Sequence, residues 1–258
     1  MTITLLQQDI AWMDTAANLK AAEEAILAAQ RSDLYVLPEM FSTGFVTQPT
    51  TSTLDGTDAT REGTALHWMQ SMADRLDAAI AGSVATEEDG KYYNRFYFVR
   101  PTASGQPLVW YDKRHLFTYG GEHLRYEAGS ERVEVEWRGV RFLLLVCYDL
   151  RFPVWSRNHA DRPYDCALYV ASWPTPRLSA WQTLLLARAI ENQCYVCGVN
   201  RIGTDPACQY SGGTAFIDPY GKTIAESPLG EASAITATID MERLQAFRKK
   251  FPVLSDAD

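Results

Sequence analysis

Histidine and cysteine are scarce in this chain: four histidines and five cysteines in 258 residues. His67, His115, His123 and His159 are scattered, with no metal-ligand spacing. Cys194 and Cys197 form a C-x-x-C, but QCYVCGVN is patterned as a strand, where an offset of three puts side chains on opposite faces. With no second pair, a zinc site is not expected; neither is another metal or an organic cofactor. An odd cysteine count without framework spacing excludes a disulfide scaffold and points to a reducing cytoplasm. Long apolar runs are also missing, so no membrane span is expected. The N-terminus, MTITLLQQDIAW, lacks the basic region and apolar core of a secretory signal. Basic charge is in deficit: 24 Lys and Arg against 32 Asp and Glu, net −8. Nucleic-acid binding needs a concentrated basic face. The one basic cluster of note, Arg248-Lys249-Lys250, ends a C-terminal helix, where it complements the helix dipole.

What the chain does have is a globular composition, 47% hydrophobic and 12% aromatic, enough for a substantial core and too apolar for disorder. Its pattern alternates strands and helices. Strands are expected over 2–6, 34–37, 80–86 and 92–100, the last two joined by Asp89-Gly90. More follow over 108–111, 132–137, 142–146, 166–171, 195–200, 209–218, 222–226 and 233–239. Helices are expected over 18–30 (with Asp14 and Thr15 as caps), 61–77, 154–159, 179–192 (opened by a Ser179 cap) and 241–250. Asp218-Pro219-Tyr220-Gly221 is a turn. His67 lies on a helix, partly solvated, and His159 ends one. No internal repeat, linker or low-complexity segment divides the chain, so residues 1–258 are expected to form one α/β domain.

The segment RFLLLVCYDLRFP, from Arg141 to Pro153, carries the most information. Phe142 to Val146 is a buried strand, Cys147 stands at its end, and Pro153 suits the first turn of a helix. Strand, sharp turn and helix is the geometry that lifts a nucleophile out of a sheet edge. The bland alternative is a buried cysteine. Two further strand-like runs end in a charge: Leu34 to Leu37 before Pro38 and Glu39, and Leu108 to Tyr111 before Asp112 and Lys113. Taken singly, such charges belong at the surface. But ligand sites in α/β proteins lie outside the carboxyl ends of strands, so Glu39, Lys113 and Cys147 are expected to converge.

In LPEMFSTGF, YDKRHLF and VCYDLRFP these residues resemble the Glu-Lys-Cys set of the nitrilase superfamily of carbon–nitrogen hydrolases. The resemblance covers nearly the whole chain. The wording after the lysine (RHLF) and after the cysteine (DLRFPVWSRN) is most similar to the omega-amidase branch. It implies a four-layer α-β-β-α sandwich, a homodimer and a reaction through a Cys thioester. Amide hydrolysis by a thiol needs a base, an oxyanion partner and a proton for the leaving nitrogen. Glu39 is the expected acid and base. Lys113 is the expected oxyanion cation, and its charge is expected to lower the Cys147 pKa. The backbone N–H of Tyr148 is a second oxyanion donor. For the accessory glutamate of the family, Glu122 and Glu127 compete, and Glu122 fits better. A Cys/His arrangement with His115 as base would leave Glu39 without a task.

The branch resemblance implies hydrolysis of the terminal amide of small 2-oxo acids such as 2-oxoglutaramate and 2-oxosuccinamate. Their carboxylate calls for a cation, for which Arg177 is the candidate and Arg151 the alternative. Trp173, Phe45 and Phe117 are candidate pocket walls. Two other classes stay open. One is a different superfamily hydrolase: a nitrilase, an N-carbamoyl hydrolase or an amidase on a peptide-like metabolite. The other is a catalytically idle binding scaffold.

Overall fold

The computed structural model describes residues 1–50, 54–55 and 64–256. Two six-stranded sheets lie face to face between helical layers. The first has the order β14-β1-β2-β3-β4-β5, with β1 Thr2–Gln7, β2 Leu34–Val36, β3 Ala79–Glu88, β4 Lys91–Val99, β5 Val109–Asp112 and β14 Ser233–Thr238. The second has the order β13-β12-β9-β8-β7-β6, with β6 Glu134–Trp137, β7 Val140–Val146, β8 Cys166–Ala171, β9 Tyr195–Asn200, β12 Ala215–Ile217 and β13 Thr223–Glu226. A short hairpin, β10 Ile202–Thr204 with β11 Gln209–Ser211, stands apart.

Period-two alternation decides which face each strand residue serves. Leu5, Val36, Phe96, Phe98, Phe142, Leu144, Val146 and Leu168 point inward and form one core between the sheets. Their neighbours Leu6, Tyr35, Ile80 and Tyr97 point outward against α1 Thr15–Ala28 and α2 Ala65–Leu76. On the other side Leu143, Leu145, Tyr169 and Val196 pack against α3 Leu178–Asn192. The layers are therefore α-β-β-α, as the resemblance implied. α4 Met241–Lys250 follows β14 and carries Leu244 into the inter-sheet core. Cys197 faces that core while Cys194 faces the α3 side, the opposition expected of the C-x-x-C.

Local chemistry fixes the turns. Asp89 and Gly90 have φ of 52° and 75°, as do Arg138 and Gly139 at 47° and 78°, the two left-handed positions of a tight hairpin. Asp14 caps α1, accepting from the Ala17 N–H at 3.0 Å. Asp77, at φ 50°, closes α2; the expected start of that helix, Arg61 to Gly63, lies outside the described residues.

Three expectations are corrected. There is no helix over 154–159. Phe152, Trp155 and Ser156 donate to residues three back. The Asn158 Oδ1 then captures the N–H groups of His159 and Tyr164, a side-chain bond that competes with helix continuation. His159 is therefore an exposed turn residue rather than a helix end. Ser179 is not the cap of α3: the 3₁₀ turn Thr175–Arg177 runs directly into the helix, and no side chain caps it. The strand over 209–218 is broken at Gly212 and Gly213, with φ of 80° and 86°. There Gln7 inserts its amide, accepting from the Thr214 N–H at 3.0 Å.

Candidate active site

The carboxyl ends of β2, β5, β7 and β8 open at one end of the sandwich, because these strands run parallel within each sheet. Each delivers one piece of the site. Glu39 follows β2, Lys113 follows β5, Cys147 follows β7 and Ser172 follows β8. Glu39, Lys113 and Glu122 are all buried.

Lys113 Nζ donates to Glu39 Oε1 at 2.8 Å and to Glu122 Oε2 at 2.9 Å, with Glu122 Oε1 at 3.1 Å. An ammonium has three hydrogens; one goes to Glu39, one is shared between the two Glu122 oxygens, and the third is left for the cavity that Lys113 lines. Burial alone would drive the lysine toward neutrality; the two carboxylates reverse that and hold its pKa far above the ordinary value. Glu39 Oε2 accepts from the Ser172 N–H at 2.8 Å. Glu122 sits in a 3₁₀ turn, Glu122–Leu124, and also accepts from the Phe117 N–H at 2.6 Å. Its carboxyl pKa is raised by burial and by Glu39, against the pull of Lys113. Glu127 is exposed, and of the two glutamates it is Glu122 that meets Lys113. The turn is pinned from behind at Gly129, whose N–H donates to Lys113 O at 3.0 Å. A Cβ there would lie 2.1 Å from Asp112 O, which only glycine avoids.

Cys147 occupies the left-handed region at φ 44°, a costly conformation for a residue with a Cβ. Asp149 holds it there. Its carboxylate accepts from the Val146 N–H at 2.9 Å, the Tyr111 hydroxyl at 2.8 Å and the His115 N–H at 3.0 Å. The elbow is thus a 3₁₀ turn, Cys147–Arg151, instead of a helix start. The half-buried thiol faces Glu39 and Lys113, but its pKa is not lowered as expected. Burial pushes it well up and Glu39 pushes further, while Lys113 pulls the other way. The Cys147 thiol thus lies beside the Glu39 carboxyl group. His115 does not join it. Its Nδ1 pairs with Asp149 at 2.8 Å and its ring stacks on Phe152 at 3.8 Å.

A cavity of about 510 Å³ opens over Cys147. Glu39, Lys113, Tyr148, Phe45, Phe117, Trp173, Arg151 and Arg177 all line it, so every expected pocket residue is brought together. The Arg177 guanidinium lies 5.4 Å from the centre of the Phe117 ring, and that of Arg151 lies 5.0 Å from Trp173. Neither arginine forms an ion pair with a carboxylate among the described residues.

Several wall residues escape the sequence reading. Trp12 and the tip of the β10–β11 hairpin, with Asp205, Cys208 and Tyr210, close one side. Asn94 on β4 lies beneath the cluster, donating to Glu39 Oε1 at 2.8 Å and Glu122 Oε1 at 3.0 Å. One sequence signal was available: an amide inside YYNRFYFV is out of place in a strand and, once buried, must find partners. No group of three His, Cys, Asp or Glu among the described residues is placed to hold a metal ion. No helix among them is long and apolar enough to cross a membrane.

The comparisons agree with this geometry. Residues 2–249 match the model of the carbon-nitrogen hydrolase family. The omega-amidase YafV of Escherichia coli strain K12 is 49% identical over 259 residues, spanning 100% of this chain and 97% of the relative. The 2-oxoglutaramate amidase of Bacillus subtilis strain 168 is 37% identical, spanning 99% of this chain and 96% of the relative. A crystal structure of XC1258 from Xanthomonas campestris, a CN-hydrolase superfamily protein with an arsenic adduct in its active site, superposes with a TM-score of 0.92 at 41% identity, covering 100% and 97% of the two chains. A Glu-Lys-Cys cluster at converging strand ends, in a four-layer sandwich matched along its length by these proteins, makes this chain a member of the carbon-nitrogen hydrolase family.

Proposed function

We propose that this protein is an omega-amidase, a cysteine-dependent enzyme that hydrolyses the terminal amide of small 2-oxo acids such as 2-oxoglutaramate and 2-oxosuccinamate. One observation carries the reading: a thiol, a carboxylate base and a buried ammonium meet under a cavity that also holds two arginines with no carboxylate partner among the described residues. The full-length similarity to omega-amidase YafV and to a 2-oxoglutaramate amidase supports the substrate class.

In this mechanism Glu39 takes the Cys147 proton as the sulfur attacks the amide carbon. The oxyanion is met by the remaining Lys113 N–H and the Tyr148 backbone N–H. The tetrahedral adduct collapses when Glu39 returns its proton to the amide nitrogen, and ammonia leaves with the C–N bond. Water, deprotonated by Glu39, then cleaves the thioester, releasing the carboxylate and restoring the thiol. Glu122 keeps Lys113 in place. Arg177, half-buried over Phe117, is the first choice for the substrate carboxylate, with the exposed Arg151 second.

The same proposal includes a single hydrolase domain over residues 1–258, a cytoplasmic location suited to five free thiols, and a homodimer. The exposed apolar side chains Ile190 and Tyr220 near α3 support the dimer. Its check is light scattering at micromolar concentration, where a monomeric mass with full activity sinks it. The activity itself is tested by ammonia release from a panel: 2-oxoglutaramate, 2-oxosuccinamate, a neutral amide of similar size, an N-carbamoyl amino acid and an aliphatic nitrile. The 2-oxo acids are expected to lead. Preference for the neutral amide or nitrile would overturn the omega-amidase reading and leave the family standing.

A further inference from the structure

We propose that Asn94 is a positioning residue that locks Glu39 and Glu122 around Lys113 and leaves Glu39 Oε2 as the only carboxylate oxygen free to exchange a proton with Cys147. The proposal rests on the catalytic roles given above. Asn94 lies on the inner face of β4, two residues from Phe96 and at the open end of the sandwich. Its backbone and its side chain serve the same cluster. Asn94 O accepts from the Lys113 N–H at 3.0 Å, so the residue fixes where the lysine leaves β5. Its Nδ2 donates at 2.8 Å to Glu39 and at 3.0 Å to Glu122.

The amide orientation follows from these partners. With Oδ1 in that place, an acceptor would face two carboxylates. Nδ2 has two hydrogens, and each goes to a different glutamate. Glu39 Oε1 then takes Asn94 and Lys113, while Oε2, among the described residues, takes only the Ser172 N–H. Both Glu122 oxygens are filled, by Asn94, Lys113 and the Phe117 N–H. Every hydrogen bond that the described residues make to the two carboxylates is donated to them. One lone pair, on Glu39 Oε2, is left for the thiol. The ionisable groups that interact with the two glutamates are Lys113, Cys147 and the buried Tyr126, whose hydroxyl is occupied with Val46 O at 2.7 Å.

The test uses Asn94→Asp, which keeps the shape and the β4 backbone bond but turns the shared donor into an acceptor, and Asn94→Ala, which removes it without adding charge. Melting temperatures establish that each variant folds. In both, kcat is expected to fall ~10²-fold or more, as for loss of a preorganised electrostatic partner, with KM within about threefold. The acid limb of kcat/KM against pH should move to higher pH, because a carboxylate pair without its shared donor holds a proton more tightly. The pH dependence of Cys147 alkylation by iodoacetamide should move with it. Alkylation needs no substrate, so it tests Asn94 even if the whole panel of amides fails. A folded variant with the parental pH limb and alkylation profile would overturn the proposal. So would collapse of both variants, which would assign Asn94 to the structural frame alone.

Discussion

Replacing Lys113 by methionine isolates the electrostatics of the buried cluster. Methionine keeps an unbranched chain of similar length and removes only the charge and its donors. In the parent, one ammonium faces two carboxylates, with all three side chains buried. Breaking a buried ion network by deleting one partner costs ~3–5 kcal/mol, because the other charges remain desolvated. At this chain length each kcal/mol moves the melting temperature by about 2–4 °C, so a drop of ~10 °C is expected. The pH dependence is the sharper signature. Glu39 and Glu122 without a cation will share a proton in the fold, at a pKa above the unfolded value of ~4.3. A carboxyl raised in the folded state lends stability below the unfolded pKa, and that stability is lost as pH rises through the folded pKa. The slope is at most ~1.36 kcal/mol per pH unit, so ~2–3 kcal/mol should vanish between pH 5 and 7. In the parent the Lys113 pKa is raised instead, so its contribution is intact below the ordinary lysine range. The upward push on Glu122 is opposed by the lysine, so the parental slope should be shallower. Calorimetric melting at pH 5, 6, 7 and 8 at fixed ionic strength makes the comparison. A variant melting within 2 °C of the parent, or one with no steeper pH dependence, would refute the reasoning.

Cys147→Ala should abolish ammonia release with melting temperature retained, and Cys147→Ser should be nearly as inactive, since a hydroxyl needs a stronger base; turnover in either folded variant removes Cys147 as nucleophile. Lys113→Arg should lose ~10²–10³-fold in kcat, because a planar guanidinium cannot place one donor on the oxyanion while meeting two carboxylates; unchanged kcat would make the lysine structural. Arg177→Ala should raise KM for 2-oxoglutaramate by the ~1.5–3 kcal/mol of a charge-assisted bond and barely affect a neutral amide. Equal losses on both substrates would pass the role to Arg151.

How far the site was legible depended on how local its signals are. Cys147, Glu39 and Lys113 each follow an apolar run, and the end of such a run is visible in the sequence; that these ends meet follows from parallel strands in two facing sheets. The choice of Glu122 over Glu127 was half-legible, because burial separates them and burial is not written in either residue. Two of the failures come from a side chain overriding a backbone preference, one from within the segment and one from far along the chain. Asn158 draws the backbone out of the helix expected over 154–159, and Gln7 interrupts the strand expected over 209–218.

By itself, the sequence determined the alternation of elements, the faces of the strands and the identity of the reactive groups, since periodicity and residue chemistry are properties of neighbours in the chain. The tertiary structure decided the protonation chemistry. Burial and the nearby Glu39 push the Cys147 pKa up against the pull of Lys113, where the neighbouring ammonium alone suggested that it would fall. It also decided that Asn94 underlies the cluster. Desolvation and pairing depend on what surrounds a group in space, and residues from 39 to 172 are neighbours only once both sheets have formed.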